Sequence, residues 1–159
     1  LMALRLLLAF LMALLAPTAA HAAVTATGAN GASISITQSK FAKDTKIKVS
    51  GRNFGETVGI YLAYCVVPKK GAMPSPCGGG VNKAGLGDSS FWISSNPPPY
   101  AIGLTDEFLP GGRFTQKVKI SKKIGKFDCT KVKCAITVRT DHLRSNDRSS
   151  DLFIPITVK

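Results

Sequence analysis

Few side chains in this sequence can do covalent or acid–base chemistry. Beyond residue 22 there is one histidine, His142, and there are four cysteines, Cys65, Cys77, Cys129 and Cys134. His142 follows Asp141, with Ser145, Ser149 and Ser150 nearby, and these are the residue types of a nucleophile and its base. No G-x-S-x-G elbow presents any of these serines, so the sequence points away from an enzyme and to a solvated loop histidine. Zinc sites need C-x-x-C or closely spaced histidine ligands, and neither occurs, so no metal and no cofactor is expected. Haem held by a tyrosine oxygen, from Tyr61, Tyr64 or Tyr100, stays open in principle. There is no phosphate-binding loop, dinucleotide fingerprint or calcium loop.

The cysteines read better as covalent staples. Residues 1–22 have the build of a signal peptide: Arg5, then the apolar run Leu6 to Leu15, then Ala20-His21-Ala22. That run is too short to span a bilayer, which disfavours the rival reading of an uncleaved anchor. No second apolar run follows. Residues 23–159 are therefore expected to be secreted or associated with the cell surface, as one domain, a monomer with no transmembrane segment after signal cleavage. An exported chain with an even cysteine count has disulfides by default. The local pairing, Cys65–Cys77 with Cys129–Cys134, is the economical one of three.

The elements that carry these cysteines are short apolar alternations between Gly, Pro and Asn. They run over 33–37, 45–50, 58–67, 91–93, 114–120, 133–140 and 152–158. Seven short strands with no helical period predict an all-β, seven-stranded immunoglobulin-like Greek-key β-sandwich. Pro155 demotes its strand to an edge or marks a bulge. Residues 69–88, with Gly78-Gly79-Gly80, and the connection from Asn96 to Pro110 are expected as surface excursions, either binding loops or disordered insertions.

Two groups of residues carry a resemblance. Ile47-Lys48-Val49-Ser50-Gly51, Thr57 through Tyr64-Cys65, and a second cysteine within a dozen residues form the first. Asp128-Cys129-Thr130-Lys131-Val132-Lys133-Cys134, a D-C-T-x-x-x-C hairpin leading into an apolar strand, forms the second. Together they resemble the neocarzinostatin family of actinobacterial proteins over most of residues 24–159. The resemblance implies a sandwich with disulfide-closed β-ribbons framing a cleft for an apolar enediyne chromophore, as in an antibiotic carrier. Val67 and Asn82 stand where chromophore-carrying members have aromatic residues, so no chromophore site transfers. Phe91 through Tyr100, Arg139-Thr140-Asp141-His142 and Asp147 through Asp151 also resemble Ig-like modules of actinobacterial surface proteins, some found beside haem-uptake domains.

Charge and alternation then place two candidate surfaces. The chain holds 21 basic against 9 acidic residues, a net +12 of which the signal contributes only Arg5. Such a balance favours polyanionic surroundings. In an Ig-like sandwich the second and fifth strands are neighbours, so Lys46 and Lys48 should lie beside Lys117 and Lys119, with Arg113 close by. This face is either an anion-binding surface or an edge kept soluble by lysine. The third strand is apolar on both faces, one of them outside the core, which makes Tyr61, Ala63, Val67, Trp92 and Tyr100 candidate cleft residues. Alternatively these aromatics glue the ribbon to the sandwich. The leading function is a secreted, non-enzymatic binding module holding an apolar or planar small molecule, such as an enediyne-like chromophore or haem. The alternative is a basic surface protein that binds anionic polymers: cell wall, lipid headgroups or DNA.

Overall fold

The computed structural model describes residues 22–79 and 88–159; Leu1 to His21, which hold nearly all of the expected signal, lie outside it, as do Gly80 and Asn82. The strands are β1 (Val24–Thr27), β2 (Ser33–Ile36), β3 (Lys40–Phe41), β4 (Thr45–Arg52), β5 (Ile60–Val66), β6 (Ser90–Ile93), β7 (Phe114–Ile120), β8 (Lys123–Ile124), β9 (Phe127–Asp128), β10 (Cys134–Thr140) and β11 (Leu152–Val158). One sheet has the order β1-β2-β4-β7 and the other β3-β11-β10-β5-β6, with β8-β9 as a separate ribbon. This is the immunoglobulin-like arrangement: β4 and β7 adjoin in one layer, and β5, β10 and β11 form the other.

All seven strands expected from alternation are present. The missed elements are β3, β8 and β9, two residues each and too short for a period to register, and β1, whose inward pair Val24 and Ala26 is only weakly apolar. Inward positions fill one core, built from Ile34, Val49, Leu62, Val118, Ile136 and Ile154 among others. Tyr64 is buried there, and its hydroxyl donates to the Ser121 carbonyl at 2.9 Å, tying β5 to the segment after β7. Pro155 sits opposite Ala135 of β10, while β3 pairs with β11 only at Thr157 and Val158. At Pro155 the strand is therefore an edge, where a missing N–H is tolerated.

Both disulfides have the local pairing, Cys65–Cys77 and Cys129–Cys134. The second closes a turn that explains the D-C-T pattern. Asp128 Oδ1 accepts from the Thr130 amide at 2.9 Å and the Thr130 hydroxyl at 2.6 Å, an Asx turn that reverses the chain. These bonds, the hydroxyl's first, hold the Asp128 carboxyl below the usual carboxylate range. Thr130→Val is expected to raise that pKa toward 3.8, read by carboxyl-detected NMR titration. The bond from Thr130 supports the turn above the ordinary carboxylate pKa and is lost as pH falls through the depressed value.

One turn depends on glycine. Gly112 has φ of 60°, and a Cβ there would run into the Phe54 backbone. Its amide donates to Glu56 Oε1 at 2.9 Å and its carbonyl accepts from the Phe54 amide at 3.2 Å, closing one end of the sandwich.

Candidate functional site

The outward face of β5 is the unusual surface of the fold. Ile60, Leu62 and Tyr64 point into the core, as period-two alternation requires, yet Tyr61, Ala63 and Cys65 are buried as well. Strand register lines up the neighbours of those three. Trp92, Tyr61 and Arg139 form one row, Ser90, Ala63, Thr137 and Phe153 the next, and Cys65, Ala135 and Pro155 the third. The polypeptide itself covers both ends of this face.

At the first row the cover is His142. Its Nδ1 lies 2.5 Å from the Tyr61 hydroxyl and its Nε2 lies 2.7 Å from the Tyr100 hydroxyl. The imidazole stands edge-on to Trp92, with ring centroids 4.9 Å apart. Asp141 fixes this corner from below: its Oδ2 accepts from Trp92 Nε1 at 3.1 Å, and its Oδ1 accepts from the Leu143 amide at 3.1 Å. Gly59 makes room for it, since a Cβ there would overlap the carboxylate. The loop after β10 is pinned by the Thr140 hydroxyl, within 2.7 Å of the Arg144 carbonyl and 2.9 Å of that of Asp147.

At the third row the cover is the Cys65–Cys77 disulfide and the segment it closes. The Val67 amide donates to the Lys133 carbonyl at 2.9 Å, and the Val66 amide to that of Pro76 at 3.0 Å. Between this segment and the loop after β10 lies a cavity of about 360 Å³, walled by Val67, Pro68, Lys69, Arg148, Asp151 and Phe153. Arg148 is ion-paired with Asp151 at 3.3 Å. Arg139 lies nearby, buried, its guanidinium over the Tyr61 ring at 4.9 Å. Among the described residues, Arg139 Nε, Arg148 Nε and Asp151 Oδ1 are buried without a hydrogen-bond partner. Burial lowers the Arg139 pKa and raises that of Asp151, in both cases by disfavouring the charged form.

The expected cleft residues divide. Tyr61, Trp92 and Tyr100 converge on His142, Ala63 lies in the middle row, and Val67 walls the cavity. Tyr61 and Trp92 are covered by the chain itself, and only Tyr100 of that trio is exposed. The aromatic trio packs against the loop after β10, not against the cysteine ribbon, and of the five expected cleft residues only Val67 lines this cavity. His142 is not the solvated loop residue expected from sequence, for it is half-buried with both ring nitrogens engaged. Its partner Tyr61 is 81 residues away, out of reach of any local pattern.

Burial, its largest cause, raises the Tyr61 pKa from 10.0 to about 12, and burial does the same for Tyr64. Both should stay un-ionised through the ordinary tyrosine range in an ultraviolet pH titration. The folded protein holds these protons where the unfolded chain has lost them. Their contribution to stability is therefore complete below pH 10.0 and disappears as pH rises toward about 12. Tyr64→Phe should remove one of the two late ionisations.

The lysine pairs lie on the opposite layer. Lys46 stands across from Lys119 and Lys48 across from Lys117 on adjoining strands. Lys46 also has an unforeseen partner, Asp88, at 3.2 Å. Arg113 lies just before β7, and its Nε donates to the Pro110 carbonyl at 2.8 Å.

Comparison with known proteins gives one informative likeness. The solved structure of macromomycin superposes with a TM-score of 0.53 at 13% sequence identity, covering 80% of this chain and 99% of that one. No protein-family model matches the sequence, and no curated protein does. At that identity the likeness concerns fold: an all-β sandwich of neocarzinostatin type. The second resemblance, to surface-protein modules, gains no support from it.

Proposed function

We propose that residues 23–159 form an exported, non-enzymatic binding module that holds a small apolar or planar molecule on the outward face of the β5-containing sheet. The cavity between the Cys65–Cys77 segment and the loop after β10 is the seat of that ligand. One observation carries the reading: a sheet face outside the core, which holds Tyr61, Ala63, Trp92 and Phe153 beside the buried Ser90, Thr137 and Arg139, is roofed by the chain's own loops and still leaves about 360 Å³ open next to Phe153. That is the lower range of small-molecule sites, and apolar walls with a few convergent polar groups are their usual build. Val67, Pro68 and Phe153 supply the apolar walls; Lys69 and the Arg148–Asp151 ion pair supply the polar part of the lining. The neocarzinostatin-like fold and the cysteine motifs support a carrier in place of an enzyme.

The test is a titration of the oxidised protein with anilinonaphthalene sulfonate and with haemin, following Trp92 emission and probe absorbance. Saturable binding that Phe153→Glu weakens about tenfold, by closing the apolar wall, supports the proposal. No saturable binding by either probe, with both disulfides intact, overturns it.

A further inference from the structure

The opposite sheet carries a second surface that the cleft does not use. On β1, β2, β4 and β7 the outward positions fall into rows set by register. Thr25 faces Ser35, Ser35 faces Ser50, and Ser50 faces Thr115, so four hydroxyl side chains cross the whole sheet, about 14 Å at ordinary strand spacing. Two residues along the strands on one side stand Lys48 and Lys117; two residues along on the other stand Arg52 and Arg113. Long cations thus bracket short hydroxyls, each row about 7 Å from the next. The result is a trough of about 510 Å³ with Arg52, Arg113 and the exposed Leu109 at one end.

Basic side chains dominate this face, with Asp88, paired to Lys46, beyond the Lys48 row. None of the four strands contains an aspartate or glutamate. Neither arginine has a carboxylate partner among the described residues; Arg52 Nε donates to Ser33 Oγ at 3.2 Å, which fixes the stem and holds the head at the trough. Directly opposed lysines repel, so this pattern costs stability that a bound polyanion would return.

We infer that this face binds an acidic polysaccharide, a linear glycan carrying carboxylate or phosphate groups. The bracketing cations match its charges, the hydroxyl row matches its sugar hydroxyls, and Leu109 offers an apolar contact to a ring face. Single-stranded nucleic acid fits less well, because stacking platforms are absent: the aromatic residue in these strands, Phe114, points into the core. A lipid surface fits less well too, since charge alone would serve it and the hydroxyl row would have no role.

The experiment titrates the oxidised protein with a polyuronate (alginate), with neutral dextran, with polyphosphate and with duplex DNA, at low and moderate salt. Alginate should bind, more weakly as salt rises, and dextran should not. Arg52→Ala with Arg113→Ala should weaken alginate about tenfold or more through lost charge-assisted hydrogen bonds. Ser35→Ala with Ser50→Ala should weaken alginate about threefold or more and leave polyphosphate unchanged. Lys131→Glu with Lys133→Glu, off this face, changes net charge more than the arginine pair and should leave alginate affinity within about twofold. Alginate binding that ignores the arginine or serine changes, or follows net charge alone, overturns the proposal. So does tighter binding of DNA or polyphosphate, or no alginate binding in a protein whose near-ultraviolet circular dichroism is native.

Discussion

Replacing Cys65 and Cys77 with serine is expected to lower the unfolding free energy by about 3 kcal/mol in the chain-entropy model, and to remove small-molecule binding with it. The bond spans a sequence separation of 12, against 5 for Cys129–Cys134, so the longer loop restrains more unfolded-chain entropy. The shorter one should contribute about 2 kcal/mol on the same scale. The two differ more in what they hold. Cys65 lies on the outward face of β5, and its bond fixes the segment from Val67 that walls the cavity. Cys129–Cys134 closes the turn between β9 and β10, which pair with other strands, and its loss should leave probe binding nearly intact. Urea denaturation of both pairs of variants, with a haemin titration of each folded form, separates stability from binding.

Trp92→Ala is expected to be at least as damaging, at about 3–5 kcal/mol for a fully buried large aromatic. The indole is 1% exposed, packs on Tyr61 with centroids 5.9 Å apart and stands beneath His142. Its loss also takes a hydrogen bond from the Asp141 carboxylate, itself buried, leaving one oxygen without a donor among these contacts. Trp92→Phe divides the effect: it keeps most of the area and loses the bond, so it should cost less, about 1–3 kcal/mol. Both variants can be measured by urea denaturation followed by far-ultraviolet circular dichroism. Equal losses for alanine and phenylalanine would place the weight on the hydrogen bond; a small loss for alanine would mean the cluster is not a packed unit.

Much of this architecture was legible in the residues. Thr45-Lys46-Ile47-Lys48-Val49 and Phe114 through Ile120 alternate cleanly, and sandwich topology then puts their lysines on one outer face of adjoining strands. The doubly apolar β5 announced a covered outer face before any contact was known. What covers it was not legible. His142 meets Tyr61 and Tyr100 across 81 and 42 residues, and Trp92 meets Asp141 across 49, so no spacing rule links them. The burial of Arg139 was not legible either: an arginine near the end of an apolar strand normally turns to solvent, and this one is buried beneath the loop after β10. The hydroxyl trough was missed because Thr25 lies on β1, whose weakly apolar inward residues Val24 and Ala26 give little strand signal, so only part of its row was in view.

The proposed ligand is seated between the outer face of β5's sheet and the segment that the Cys65–Cys77 disulfide closes. Amide NMR spectra of the oxidised protein, titrated with anilinonaphthalene sulfonate, test this at single residues. Saturating shifts should centre on Val67, Lys69, Arg148 and Phe153, with smaller ones at Trp92 and His142. Spectra that stay unchanged, or that move only at Thr25, Ser50 and Thr115 on the other sheet, would contradict it.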